Sequence, residues 1–182
     1  MRIISGKARG TKLYTLEGTN TRPTLDRVKE SIFNIIQNEI EGAAVLDLFA
    51  GSGAIGLECL SRGAKKAVLC DKSKEAIEII KRNIEKTHMV EKAQIINADF
   101  ENCLEKLKNE QFDIIYIDPP YATDYIFKSL KKIKEIGIAK KESCIIVETD
   151  DEQRILKEIG NIEIKIVDKR KYGRATIIFL EI

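Results

Sequence analysis

The chain is poor in the residues on which much catalysis and cross-linking depend. It has one histidine and no tryptophan, and its four cysteines are scattered along 182 residues. With His88 as the sole imidazole, placed in a helix-to-strand connection, a histidine-based triad has little to build on and a surface role is the simpler account. Cys59, Cys70, Cys103 and Cys144 show no paired ligand spacing and mostly adjoin apolar residues. They read as buried thiols in a reducing cytosol, not as a zinc site or disulfide set, so no metal is expected. No apolar run approaches the roughly eighteen residues of a membrane span. The start, Met1-Arg2-Ile3, is not expected to open a signal peptide. Repeats and low-complexity tracts are absent as well. What is present is 43% hydrophobic and 33% charged, the balance of one soluble cytoplasmic domain with room for a good core.

Apolar periodicity alternates between strand and helix. A short β-hairpin is expected over 2–15, bent at Gly6 to Gly10, and a helix from Pro23 to about Ile40 with Val28, Ile32, Ile35, Ile36 and Ile40 on its core face. Further helices are expected near 54–62, 73–86, 101–109, 125–136 and 151–159, between strands near 43–47, 66–71, 93–97, 113–117 and 143–148. Two closing strands, 162–167 and 175–182, follow without a helix between them. Such alternation predicts a mostly parallel sheet with helices on both faces and one antiparallel strand added at the end. The division expected is 1–22 as hairpin and basic loop, and 23–182 as a single core. No coiled coil or exposed apolar face calls for a dimer, so a monomer is expected.

A net charge of +2 conceals a gradient. Residues 1–29 hold seven bases (Arg2, Lys7, Arg9, Lys12, Arg22, Arg27, Lys29) against Glu17 and Asp26, or +5, which leaves −3 for the rest. Lys169, Arg170, Lys171 and Arg174 form a second basic group. Basic ends on a near-neutral body suit a polyanion held by its phosphates, although charge runs are commonly just solvated surface. Arg9, Arg22 and Arg27 are the candidates for phosphate contact, with Arg22, before Pro23, alternatively part of an active-site wall.

The densest chemistry lies in Asp118-Pro119-Pro120-Tyr121, after the strand-like Ile114-Ile115-Tyr116-Ile117. In an open α/β sheet, ligands bind past the C-terminal strand ends. Prolines cannot donate hydrogen bonds, so their carbonyls face a ligand unopposed. Asp118 and the Pro119 carbonyl would accept the hydrogens of an exocyclic amine, and Tyr121 would stack on its ring. The bland alternative is a stiff turn begun by an aspartate.

Upstream, Asp47-Leu48-Phe49-Ala50-Gly51-Ser52-Gly53 joins a short strand to a helix, the setting of a nucleotide loop. Gly51, Gly53 and Gly56 also satisfy the dinucleotide spacing, with Asp71 twenty residues beyond Gly51. Charge separates the cofactors. A carboxylate at position 47 repels a pyrophosphate, whereas S-adenosylmethionine carries an ammonium and a sulfonium. Asp99, at the end of the third strand-like run, would accept from the adenine amine with Phe100 over the ring, or cap the helix that follows. Both roles are compatible. Asp47, Phe49, Gly51, Gly53, Asp71, Lys72, Asp99 and Phe100 form the expected cofactor set.

With these motifs in order, the chain resembles the bacterial small-subunit (16S) rRNA guanine-N2 methyltransferases, a branch of the class I S-adenosylmethionine-dependent methyltransferases. The resemblance spans nearly all residues. Its specific parts are Arg2-Ile3-Ile4-Ser5-Gly6, Arg9-Gly10-Thr11-Lys12-Leu13, Thr21 to Glu30, and Lys171-Tyr172-Gly173. Leu25 replaces a small hydroxyl residue and Asp71 a commoner glutamate, keeping the carboxylate. The resemblance implies a Rossmann-like fold with a seven-stranded sheet and methyl transfer to a guanine N2 in 16S rRNA of an assembled or assembling small subunit. In that chemistry Asp118, Pro119 and Tyr121 hold the base. An adenine-N6 DNA methyltransferase would use the same tetrapeptide but lacks space here for a base-reading domain. A protein-glutamine methyltransferase would usually carry Asn at 118. A nicotinamide oxidoreductase is opposed by Asp47, and a non-catalytic RNA-binding module by the intact carboxylates.

Overall fold

The computed structural model describes residues 1–16, 23–120 and 123–182, the side chains of 23–26 excepted. The elements in chain order are α1 (Pro23–Ile35), β1 (Ala44–Asp47), α2 (Ala54–Ser61), β2 (Lys66–Asp71), α3 (Lys74–Lys86), β3 (Ala93–Asn97), α4 (Phe100–Lys106), β4 (Phe112–Ile117), α5 (Tyr125–Ile136), β5 (Ala139–Thr149), α6 (Glu152–Ile159), β6 (Lys165–Tyr172) and β7 (Ala175–Glu181). Seven strands form one sheet in the order β3-β2-β1-β4-β5-β7-β6. β7 runs antiparallel to both β5 and β6, while β1 to β5 pair in parallel. The expected Rossmann-like sheet is therefore borne out. Strand order reverses between β1 and β4, so a crevice opens beyond their C-terminal ends.

Alternation along the strands sends successive side chains to opposite faces. Val45, Leu69, Ile114 and Ile146 pack with Ile32, Phe33, Leu57 and Ile80 of α1, α2 and α3. Leu46, Val68, Ile115 and Val147 pack with Leu104, Leu130 and Ile155 of α4, α5 and α6 on the other face. Continuous apolar strands are what a sheet covered on both sides requires.

Two elements differ from the sequence expectation. α1 stops at Ile35, not near Ile40, and Ile35 is 38% exposed. The buried face is the narrower i, i+4, i+8 row of Val28, Ile32 and Ile36, with Phe33 beside it. Ile40 reaches the core from a turn closed by the Glu39 N–H on the Ile36 carbonyl (2.9 Å). β6 begins at Lys165 and runs through the basic segment to Tyr172, not over 162–167. Pairing with β7 sets this register, and a two-residue turn with Gly173 at φ 62° closes the hairpin. As an edge strand β6 carries charge where a central strand would be apolar.

The N-terminal segment folds back on itself through an antiparallel bridge between Arg2 and Lys12. It is anchored by Glu58 of α2, which is fully buried. The Glu58 carboxylate accepts from the Ile4 N–H (2.7 Å), the Ser5 N–H (3.0 Å) and Arg62 Nε (2.8 Å). It also pairs with Lys29 Nζ of α1 at 3.0 Å. Gly6, at φ 80°, passes so close to α2 that a Cβ there would lie 1.8 Å from the Ser61 carbonyl oxygen. A second clamp is Asn83 of α3. Its Oδ1 accepts from the Tyr14 N–H (2.8 Å), and its Nδ2 donates to the carbonyls of Tyr14 (3.0 Å) and Ser52 (2.8 Å).

Removing one partner of a buried ion pair strands the other, at a cost of about 3–5 kcal/mol. Glu58→Ala is expected to lose about that much in urea unfolding. Lys165→Ala, which breaks an exposed pair with Glu181, should lose less than about 1 kcal/mol. Equal effects would show that the Glu58 network is ordinary surface electrostatics.

Candidate active site

The glycine loop leaves the C-terminal end of β1 and turns into α2. Gly51 and Gly53 sit at φ 55° and 78°, where a side chain would be strained. Asp71, at the end of β2, shapes the loop: its Oδ2 accepts from the Gly51 N–H (2.9 Å) and its Oδ1 from the Ser73 N–H (2.8 Å). Gly56 lets α2 lie against β2, since a Cβ there would meet Leu69 Cδ2 at 2.2 Å. Its N–H donates to Asp47 Oδ2 (3.2 Å), on a carboxylate that is 1% exposed.

Two cavities meet over this loop. The larger, of about 630 Å³, is lined by Phe49, Gly51, Asp71, Lys72, Asp99, Phe100, Asp118, Pro119, Pro120 and Tyr125 among others. Its apolar wall is an aromatic group. Phe100 lies 5.7 Å from Phe49 and 5.0 Å from Tyr125 between ring centroids, and Phe49 and Tyr125 are nearly parallel at 6.2 Å. Lys72 Nζ stands 5.9 Å from the Tyr125 ring. Asp99 caps α4: its Oδ1 accepts from the Asn102 N–H (2.9 Å) and its Oδ2 from Asn102 Nδ2 (2.7 Å). Those bonds, the backbone one foremost, hold its carboxyl below the usual range. Capping and lining thus coexist at Asp99.

The smaller cavity, of about 240 Å³, shares Leu16, Phe49, Gly51 and Asp118 with the larger and is roofed by Met1, Thr15, Leu16, Val28, Lys29 and Ile32. Its floor is acidic: Asp47, Asp118 and Glu148 all line it. Burial first, then the neighbouring charges of Glu148 and Asp47, push the Asp118 carboxyl well up. Burial raises Glu148 too, although the Tyr116 hydroxyl donates to its Oε2 at 2.6 Å. Asp47 is raised to about 7, mainly by burial, with Asp71 adding to it and the Gly56 N–H opposing. Among the described residues no hydrogen bond reaches the Asp118 carboxylate. Ionised carboxylates only accept, so this cavity has acceptors in excess and calls for a cationic, donor-rich occupant.

The structure brings all eight residues of the expected cofactor set to the loop and the two cavities, save that Gly53 lines neither and acts through the turn. Asp118 stands at their junction, and Pro119 lines the larger cavity. Arg9 and Arg27 are exposed and line neither cavity. Arg22 and Tyr121 lie outside the described residues. Sequence reasoning missed Glu148, Tyr116 and Tyr125. A glutamate closing the apolar run Ile145-Ile146-Val147 was the available signal for the first; Tyr125 gave none beyond its nearness to Tyr121.

This is the architecture of the class I methyltransferases, and S-adenosylmethionine, with its ammonium, sulfonium and flat adenine, fits an acid floor beside an aromatic wall. The chain belongs to the family described as Conserved hypothetical protein 95, whose model matches residues 1–181. It is 37% identical to YlbH of Bacillus subtilis (strain 168), over 95% of this chain and 94% of that protein. It is 35% identical to the Ribosomal RNA small subunit methyltransferase D of Haemophilus influenzae, over 86% of this chain and 82% of that one. The solved structure of yhhF from Escherichia coli superposes with a TM-score of 0.85 at 29% identity, covering 100% of this chain and 97% of the other.

The raised Asp47 carboxyl has a consequence for stability. Its ordinary value is 3.8 and its folded value about 7, so between those pH values the unfolded chain ionises this group while the folded chain keeps it protonated. Stability is whole below about pH 4 and falls as pH rises to 7. Asn at 47 keeps an acceptor without the charge. Asp47→Asn should therefore stabilise the cofactor-free protein at pH 8 by up to about 4 kcal/mol, with no gain at pH 4. Urea unfolding across pH checks this; a gain independent of pH would contradict it.

Proposed function

We propose that this protein transfers the methyl group of S-adenosylmethionine to the exocyclic N2 of a guanine in small-subunit ribosomal RNA. It would act as a cytoplasmic monomer on the assembled or assembling subunit. The observation that carries the reading is Asp118, a carboxylate with no hydrogen-bond partner among the described residues, at the junction of an aromatic and an acidic cavity and followed by two prolines. Relatives that are 35% and 34% identical bear the name Ribosomal RNA small subunit methyltransferase D, which supports the substrate class.

S-adenosylmethionine supplies an electrophilic methyl carbon on a sulfonium, so the chain's own task is placement. Alignment of two bound reactants contributes on the order of 7–11 kcal/mol. Asp47 and the loop of Gly51 and Gly53 would hold the cationic end, and Asp71 and Asp99 the ribose and adenine, with Phe49, Phe100 and the stem of Lys72 along the ring. Asp118 and the Pro119 carbonyl accept the amine's hydrogens, turning its lone pair to the methyl and favouring the positive charge that develops. Tyr121 is given the stacking role by its place in the motif, a contact worth about 1–3 kcal/mol. A paired target must first be flipped out, at a few kcal/mol. Arg9, Arg22 and Arg27 would hold phosphates.

Transfer of tritiated methyl to naked rRNA, small subunits and duplex DNA, followed by nucleoside digestion, tests this. Label is expected in N2-methylguanosine from rRNA or subunits; label in N6-methyladenine would overturn the substrate. Asp118→Ala should fold and bind cofactor normally while transfer falls by about a hundredfold or more. Parallel losses of cofactor affinity and thermal stability would make Asp118 structural instead. Arg9→Glu and Arg27→Glu should each weaken rRNA binding and flatten its salt dependence in a filter-binding series. Unchanged affinity would remove that residue from the contact surface.

A further inference from the structure

Glu148 is a buried acid with no place in the scheme above. Strand register sets its company. Asp47 pairs with Tyr116 and Ile117 with Val147, so Asp47, Tyr116, Asp118 and Glu148 share the sheet face beneath α1, α2 and α3. Tyr116 is 4% exposed and Glu148 8%. The Tyr116 hydroxyl fixes Oε2 at 2.6 Å, while Oε1 receives no hydrogen bond among the described residues. The charged or titratable groups lining the cavity around it are Met1, Lys29, Asp47, Tyr116 and Asp118. The Lys29 ammonium, on the opposite wall, is engaged by Glu58 at 3.0 Å and by the Arg2 carbonyl at 2.8 Å. A turned carboxylate thus presents an oxygen to the same cavity as Asp118.

One carboxylate suffices to hold an amine; two ask for a particular ring edge. Guanine offers the two hydrogens of N2 and, beside them, the hydrogen on N1. Adenine offers the two hydrogens of N6 beside a bare N1 lone pair, which a second carboxylate repels. We propose that Glu148 is a specificity-determining residue that accepts the guanine N1–H while Asp118 and the Pro119 carbonyl accept the amine. This rests on the guanine reading and extends it to how the base is told from adenine. Tyr116 acts through Glu148, as the group that orients it.

The test uses small subunits carrying 2-aminopurine in place of the mapped target guanine. 2-Aminopurine keeps the 2-amine but has a lone pair at N1. The wild type should prefer guanine by about ten- to a hundredfold in kcat/KM, the discrimination of one well-made base contact. In Glu148→Gln the amide can donate to a bare N1. Transfer to guanine should fall by a similar factor and the preference should vanish or reverse, with cofactor Kd and unfolding temperature unchanged. Equal preference in wild type and variant overturns the proposal, as does loss of cofactor affinity, which would assign Glu148 to the cofactor instead. If Glu148→Gln does not fold, Tyr116→Phe decides: it keeps both carboxylates but releases the orientation, and an undiminished preference overturns the proposal. Failure of the guanine reading shows separately, as absence of N2-methylguanosine from wild-type digests.

Discussion

Whether the cofactor cavity has a roof depends on one buried carboxylate. Glu58 takes two backbone N–H groups of the N-terminal segment, the ammonium of Lys29 and the guanidinium of Arg62. It therefore ties the hairpin and α1 to α2. Those same two pieces supply Met1, Thr15, Val28, Lys29 and Ile32 to the smaller cavity. Asn83 completes the attachment by joining Tyr14, two residues short of the cavity-lining Leu16, to the glycine loop at Ser52. A buried ion pair roughly breaks even in stability against an apolar replacement. Its value here is position: it fixes an otherwise independent segment over the sheet's switch point.

Under that roof the electrostatics are unbalanced by design of the fold. Three strands that neighbour one another, β1, β4 and β5, each carry an acid within one residue of their C-terminal ends, on the same face. Their carboxyls are pushed upward, chiefly by burial. Sites that hold charge against its preference lose stability in exchange for binding. A cation with several N–H donors relieves the imbalance, which a pyrophosphate would worsen. Asp47 is suited to the cofactor's cation, while Asp118 and Glu148 favour a donor-rich base edge.

Much of this was legible before any coordinates. The strand-and-helix alternation gave the doubly covered sheet, because continuous apolar runs and helical stripes are dictated by burial on both faces. The glycine loop, Asp71, Asp99 and the Asp-Pro-Pro turn were legible because their spacing is constrained by one local turn each. Glu148 and Tyr125 were not, since their partners are far away in sequence: Glu148 meets Tyr116 across neighbouring strands, and Tyr125 at the start of α5 meets Phe49 just past β1. β6 was misplaced for a related reason. Its register comes from pairing with β7, while its own residues look like a solvated basic run. Asp99 is legible in both its compatible roles, and it caps α4 while lining the cavity.

The central claim is that Asp47, the acid of the floor bound to the glycine-loop helix, exists for a cation. Calorimetric titration with S-adenosylmethionine and with NAD, each in two buffers of different ionisation enthalpy near pH 7, tests it most directly. We predict one-to-one binding of S-adenosylmethionine accompanied by proton release, as the Asp47 carboxyl, raised to about 7 in the empty cavity, ionises against the incoming charge, and no binding of NAD. Binding of NAD, or S-adenosylmethionine binding with no proton released, would contradict it.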